Sequence, residues 1–122
     1  MQTTLPRLAS FSLLIGVACG AFGAHGLRGV VPDSDLLIWE KAVFYHLFHA
    51  LAALGLVLFE SPIISSEKAR KVALALLVSV AIFSGSLYLL VLTDTRWLGA
   101  ITPLGGLGFM GSWLYLALKA KP

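Results

Sequence analysis

The sequence predicts an all-α integral membrane protein, a bundle of four transmembrane helices, and three observations carry that expectation. The 122-residue chain is 58% hydrophobic and 12% charged, whereas soluble domains are about half apolar and a quarter charged. Uncharged runs cover 8–27, 42–59, 72–93 and 97–118, each close to the roughly 20 residues that cross a hydrocarbon core. The charges collect in the connections. Four crossings place both termini and the second connection on one side, with Arg7, Lys68, Arg70, Lys71, Lys119 and Lys121. The other side holds Arg28, Lys41 and Arg96 among the acids Asp33, Asp35, Glu40 and Asp94. By the positive-inside rule both termini are expected in the cytoplasm. The net charge of +3 is then a topology signal, and no nucleic-acid partner is expected. A chain of this length is one domain, residues 1–122, whose first partner is the lipid bilayer.

Helix 1 follows Arg7 and resembles a signal peptide in outline, with Cys19 in a faint lipoprotein box. Gly16 stands where that box wants a large aliphatic residue, and the apolar run already has spanning length, so cleavage is not expected. Cys19, the single cysteine, reads as a small packing residue, since no intrachain disulfide is possible. Ser12, Gly16, Cys19, Gly20 and Gly23 fall within about 100° of one another at helical spacing. Gly16 and Gly20 form the small-xxx-small signature of close helix contact, and the stripe is read as a packing surface rather than a conduit. Glycines around His25 permit the turn that ends the helix, placing His25 at the outer interface.

Helix 2 is expected to start at Asp33 or Ser34, either of which can cap an acidic first turn. It carries His46 and His49 inside an otherwise lipophilic segment. The two imidazoles lie about 60° apart and share their face with Ala42, Ala50 and Ala53. Because ionisable groups avoid lipid and small residues admit neighbouring helices, this face is expected to look into the bundle. Phe44, Leu47, Phe48 and Leu51 are expected to look out. Glu60 to Pro62 ends the helix, and Ser65 is the expected cap of helix 3. Its face of Ala75, Ser79, Ser86 and Thr93 is expected inward, with Phe83 and Tyr88 elsewhere.

A tight outer turn with an Asp94/Arg96 pair leads to helix 4. Pro103 removes an N–H and disturbs the carbonyl four residues earlier, so the expectation is a helix running from about Trp97 and kinked at the proline. Gly105, Gly108 and Ser112 form its small-residue stripe. Helices 1 and 4 thus both present faces for close packing, more than one interface needs, which leads to an expected homo-oligomer or membrane-protein partner.

His25, Glu40, His46, His49, Asp94, Arg96 and Thr102 all fall toward the outer side, while the inner halves of the spans offer only serines and Cys19. If helices 1 and 2 are neighbours, His25 can approach His46 or Glu40. Such a one-sided group suits a shallow outward vestibule or a structural latch better than a continuous ion path. A His-x-x-His pair lacks the spacing and the acid of a zinc protease, and a metal site needs further ligands, so neither metal nor cofactor is expected. No nucleophile with a base at recognisable spacing appears, and no phosphate-binding glycine loop.

Four stretches carry a resemblance: GAFGAHGL at 20–27, YHLFHAL at 45–51, IFSGSLYL at 82–89 and WLGAITPLGG at 97–106. Over nearly its whole length the chain resembles the small four-span proteins called domain of unknown function 423, the YgdD-like family. The resemblance implies a multi-pass protein of the bacterial inner membrane and supplies no catalytic or binding residues. Asp94 stands where that family commonly has glycine. The resulting expectation is a non-enzymatic accessory or structural subunit packing through small-residue faces. The alternative is a small transporter or channel with an outward histidine-lined vestibule.

Overall fold

A computed structural model describes residues 3–122. Helix α1 spans Thr4–Phe22 and continues through a π-helical turn, Gly23–Leu27. Helix α2 spans Asp33–Leu58, α3 Ser66–Thr93, and α4 Thr102–Lys119 after a 3₁₀ turn at Arg96–Ala100. Among the described residues, four helical segments are long and apolar enough to cross a membrane. Helices α2, α3 and α4 pack around one core, while α1 lies on α2 and meets α3 at few points.

Lipid tails are as apolar as leucine, so these helices associate by close packing and interhelical hydrogen bonds. The central core is correspondingly small: Ala53, Val72, Ala73, Leu76, Val80 and Phe109 are buried together. A second cluster, Leu27, Trp39, Leu90 and Val91, closes the end distant from the termini. Ala42, Ala50 and Ala53 are fully buried, and Phe44, Phe48 and Leu51 are exposed, so the division of α2 into an inner and a lipid face holds. Leu47 departs from it. This side chain is half-buried because it fills the notch at Gly16, where a Cβ would lie 2.6 Å from Leu47 Cδ2.

The glycine stripe of α1 is used inside the protomer. A Cβ at Gly20 would press on Val43 at 3.3 Å, and one at Gly23 would stand 2.5 Å from the Trp39 ring. The Trp39 indole donates to the Cys19 carbonyl at 2.8 Å, so the stripe is the seat of α2. The stripe of α4 is used likewise against α3, where a Cβ at Gly105 would lie 2.5 Å from the Phe83 amide nitrogen and one at Gly108 would collide with Ser79 Oγ. Ser112 is buried and turns its hydroxyl back to the Gly108 carbonyl at 2.7 Å. These two stripes, from which a homo-oligomer or a membrane-protein partner is expected, are thus occupied within the protomer. Each stripe already has its partner.

Several local expectations change. Asp33 is the first helical residue of α2, Pro32 occupies the cap position, and no side chain caps that end. A proline without an N–H to satisfy suits that place, and the first-turn acids Asp33 and Asp35 face the positive end of the helix dipole. Ser65 does cap α3, accepting from the Lys68 amide at 3.3 Å. Helix 4 is not a single kinked helix from Trp97. The 3₁₀ turn carries the chain to Thr102, and Pro103 sits in the first turn of α4, where its missing N–H costs nothing. On α3, Ser79 and Ser86 are buried as expected, but Ala75 and Thr93 are exposed and Tyr88 turns inward to α2. Asp94 ends α3 with φ 53° and ψ 35°. That left-handed conformation favours glycine, and aspartate is among the side chains that tolerate it.

Candidate functional site

The polar residues of the spans and their outer connections separate into three groups rather than one cluster. At the centre of the α1/α2/α3 junction, His46 bonds through Nε2 to Ser12 Oγ at 3.0 Å and through Nδ1 to the Tyr88 hydroxyl at 2.9 Å. A neutral imidazole has one N–H and one lone pair. One hydroxyl therefore donates to the ring while the other accepts from it, and His46 ties three helices. Just above, the Ser84 hydroxyl donates to the Ala42 carbonyl at 2.7 Å.

His49 serves the other side of α2. Its Nδ1–H donates to the Tyr45 carbonyl at 2.9 Å, and its ring stacks on Phe109 of α4 with centroids 3.8 Å apart. Tyr45, Phe83 and Trp113 complete an aromatic cluster around it. The two imidazoles diverge, one toward α1 and α3 and one toward α4, so they do not present a shared pair of nitrogens to one ion. Among the described residues, no three His, Cys, Asp or Glu side chains gather closely enough to hold a metal.

The third group lies in the outer connections. Asp35, nearly buried in the first turn of α2, accepts two parallel hydrogen bonds from the Arg96 guanidinium, at 2.9 and 2.8 Å. Arg96 also donates from Nε to Asp94 Oδ1 at 2.7 Å. Two bonds in a fixed fork give the pair directionality that a lysine cannot reproduce. The latch clasps the start of α2 to the connection between α3 and α4. Separately, Thr102 and Ser86 share a hydrogen bond of 2.6 Å that ties α4 to α3. His25 and Glu40 are exposed and join none of these groups.

Asp35 was absent from the sequence-derived set. Its signal was present as an acid and a base on the same side of the membrane, but nearer Asp94 claimed Arg96. Ser12 and Tyr88 were assigned only to packing or to other faces. Among the described residues, no buried side-chain polar atom lacks a partner.

The Arg96 guanidinium holds the Asp35 carboxyl below its ordinary value; both stand outside the uncharged runs. A carboxylate with a lowered folded pKa stabilises the fold above its unfolded value, about 3.9, and loses that contribution as pH falls through the folded value. The thermal midpoint in nanodiscs should therefore fall by several degrees for Arg96→Ala, which strands Asp35, and by less for Arg96→Lys. The gap between wild type and Asp35→Asn should close as pH drops below about 4. A gap constant from neutral pH to strong acid would show that the latch carries no charge-dependent stability.

Four apolar helices among the described residues, glycine and alanine where backbones approach, and polar side chains spent on ties between helices define a helical multi-pass membrane protein. The comparisons agree. The family model described as "Protein of unknown function (DUF423)" matches residues 19–106. The chain is 38% identical over 113 residues to the UPF0382 membrane protein YwdK of Bacillus subtilis, covering 93% of this chain and 92% of that one. It is 45% identical over 115 residues to a UPF0382 membrane protein of Staphylococcus haemolyticus, covering 92% and 90%. A UPF0382 membrane protein of Staphylococcus epidermidis is 41% identical over 111 residues, covering 91% and 89%. The chain belongs to this family of small membrane proteins. No solved structure matches it.

Proposed function

We propose that the protein is a non-enzymatic accessory or structural subunit, a single transmembrane domain with both termini in the cytoplasm. The observation that carries this reading is the use made of the imidazoles. His46 has both ring nitrogens bonded to hydroxyls of neighbouring helices, and His49 is stacked on Phe109 and bonded to backbone. Groups engaged in this way hold helices in register. The lysine and arginine excess on the terminal side supports the orientation.

A partner, whether another membrane protein or a second copy, would have to use faces other than the two glycine stripes. The lipid-exposed residues Val78 of α3 and Leu107 of α4 sample two such faces. Photo-crosslinkers placed there one at a time, in native membranes, should yield one discrete adduct from one face and none from the other. Monomer alone from both positions would overturn the subunit reading. Solute flux in proteoliposomes, abolished by His46→Ala or His49→Ala, would replace it with the transporter.

A further inference from the structure

The face that carries both termini holds a cavity of about 580 Å³ between the start of α1, the end of α2 and the start of α3. Its apolar wall includes Leu5, Ala52, Leu56 and Trp113, and its charged residues are Glu60 and Arg70. Arg70 is half-buried one turn inside α3, and Glu60 is exposed just past the end of α2. Among the described residues neither belongs to an ion pair. The neighbouring acid Glu67 is taken by Lys71 at 3.3 Å. The cavity thus has one cation and one anion on its wall, in no ion pair with each other or with any other described residue.

A second hollow continues from it. Pro6 and Leu58 line both, and the second, of about 420 Å³, runs along the outside of α1 and α2 past Phe11, Leu14 and Leu54. Leu14 lies eight residues beyond Pro6, about 12 Å along the helix at 1.5 Å per residue. That approaches the roughly 15 Å of hydrocarbon in one leaflet. A charged chamber at headgroup depth joined to a furrow that is apolar except for Arg7 and Ser10 has the dimensions of a headgroup and one acyl chain.

We infer that this cavity binds a phospholipid with a zwitterionic phosphoethanolamine headgroup, the phosphate on Arg70 and the ammonium on Glu60. The first-turn amides of α3 add positive potential on the phosphate side. A primary ammonium can donate to a carboxylate, which a quaternary choline cannot, and a glycerol headgroup leaves Glu60 facing no cation. The tail occupies the furrow along Leu14, Leu54 and Leu58.

The test is lipid retention by native mass spectrometry of the full chain, released from nanodiscs of equal parts phosphatidylethanolamine, phosphatidylglycerol and phosphatidylcholine. Phosphatidylethanolamine adducts should exceed each of the other two by about tenfold, the weight of one charge-assisted hydrogen bond. Glu60→Gln, at an exposed position, should erase that preference and bring phosphatidylglycerol level or above. Arg70→Gln should lower retention of all three phospholipids, whereas Lys71→Gln, next on the helix and outside the cavity, should leave the pattern unchanged. Tail-free glycerophosphoethanolamine at the same concentration should not displace the lipid. Equal retention of the three lipids, an unchanged preference in Glu60→Gln, or an equal loss in Lys71→Gln would overturn the assignment. Displacement by the tail-free compound would overturn the part played by the furrow.

Discussion

Gly105→Ala should unfold at a clearly lower denaturant fraction than wild type in a mixed-micelle titration, while Gly111→Ala should not. The added Cβ at position 105 would sit 2.5 to 2.7 Å from the Phe83 nitrogen, Cβ and Cα. Two of those atoms are backbone, so no rotamer change relieves the overlap and α4 must move away from α3. Separation also loosens the stack of Phe109 on His49 and the bond between Thr102 and Ser86. Overpacking of this kind costs about 1 to 3 kcal/mol, against a gain in helix propensity of up to about 1 kcal/mol for any Gly→Ala change. At Gly111 nothing lies within 4 Å of the new methyl, so only the gain remains. Equal midpoints for the two variants would mean that α3 and α4 do not pack as closely as Gly105 requires.

His46→Leu removes the residue that bonds to α1 and α3 at once. Ser12 and Tyr88, both part-buried, then face a leucine where their shared partner stood, and a buried hydroxyl left unpaired costs about 1 to 3 kcal/mol in protein interiors. Interhelical bonds in bilayers have measured nearer 0.6 kcal/mol, because helices separated in the membrane find other partners. The larger figure does not transfer whole, and a loss of about 1 to 3 kcal/mol in total is expected. The double-mutant cycle of His46→Leu with Tyr88→Phe isolates the 2.9 Å bond and should return a coupling of about 1 kcal/mol. A coupling of zero would show that His46 contributes volume alone. His46→Gln, which keeps a donor and an acceptor, should recover part of the loss.

Much of the architecture was legible because it depends on composition and local period. The inner face of α2 followed from the spacing of Ala42, His46, His49, Ala50 and Ala53, and the serine cap of α3 from Ser65 alone. The start of α4 was misjudged because a proline near a helix end is equally consistent with a kink or a first turn, and only the path of the chain into the bundle distinguishes them. Tyr88 was placed on the wrong face because α3 packs on two helices at once: Ser79 and Ser86 meet α4, while Ser84 and Tyr88, one turn apart, both turn to α2.

The sequence by itself determined the solvent, the number of crossings and the small faces through which helices approach. Those properties are set by runs of about 20 residues and by a period of 3.6. Tertiary structure alone decided who meets whom. His46 finds Ser12 and Tyr88 at separations of 34 and 42 residues, and Asp35 finds Arg96 at 61. A glycine stripe announces that some backbone will come close without saying which. In a medium where every apolar face is equally content, the choice falls to shape and to hydrogen bonds that exist only after the helices have met. Thus both stripes, which from the sequence invited another chain, close on helices of their own.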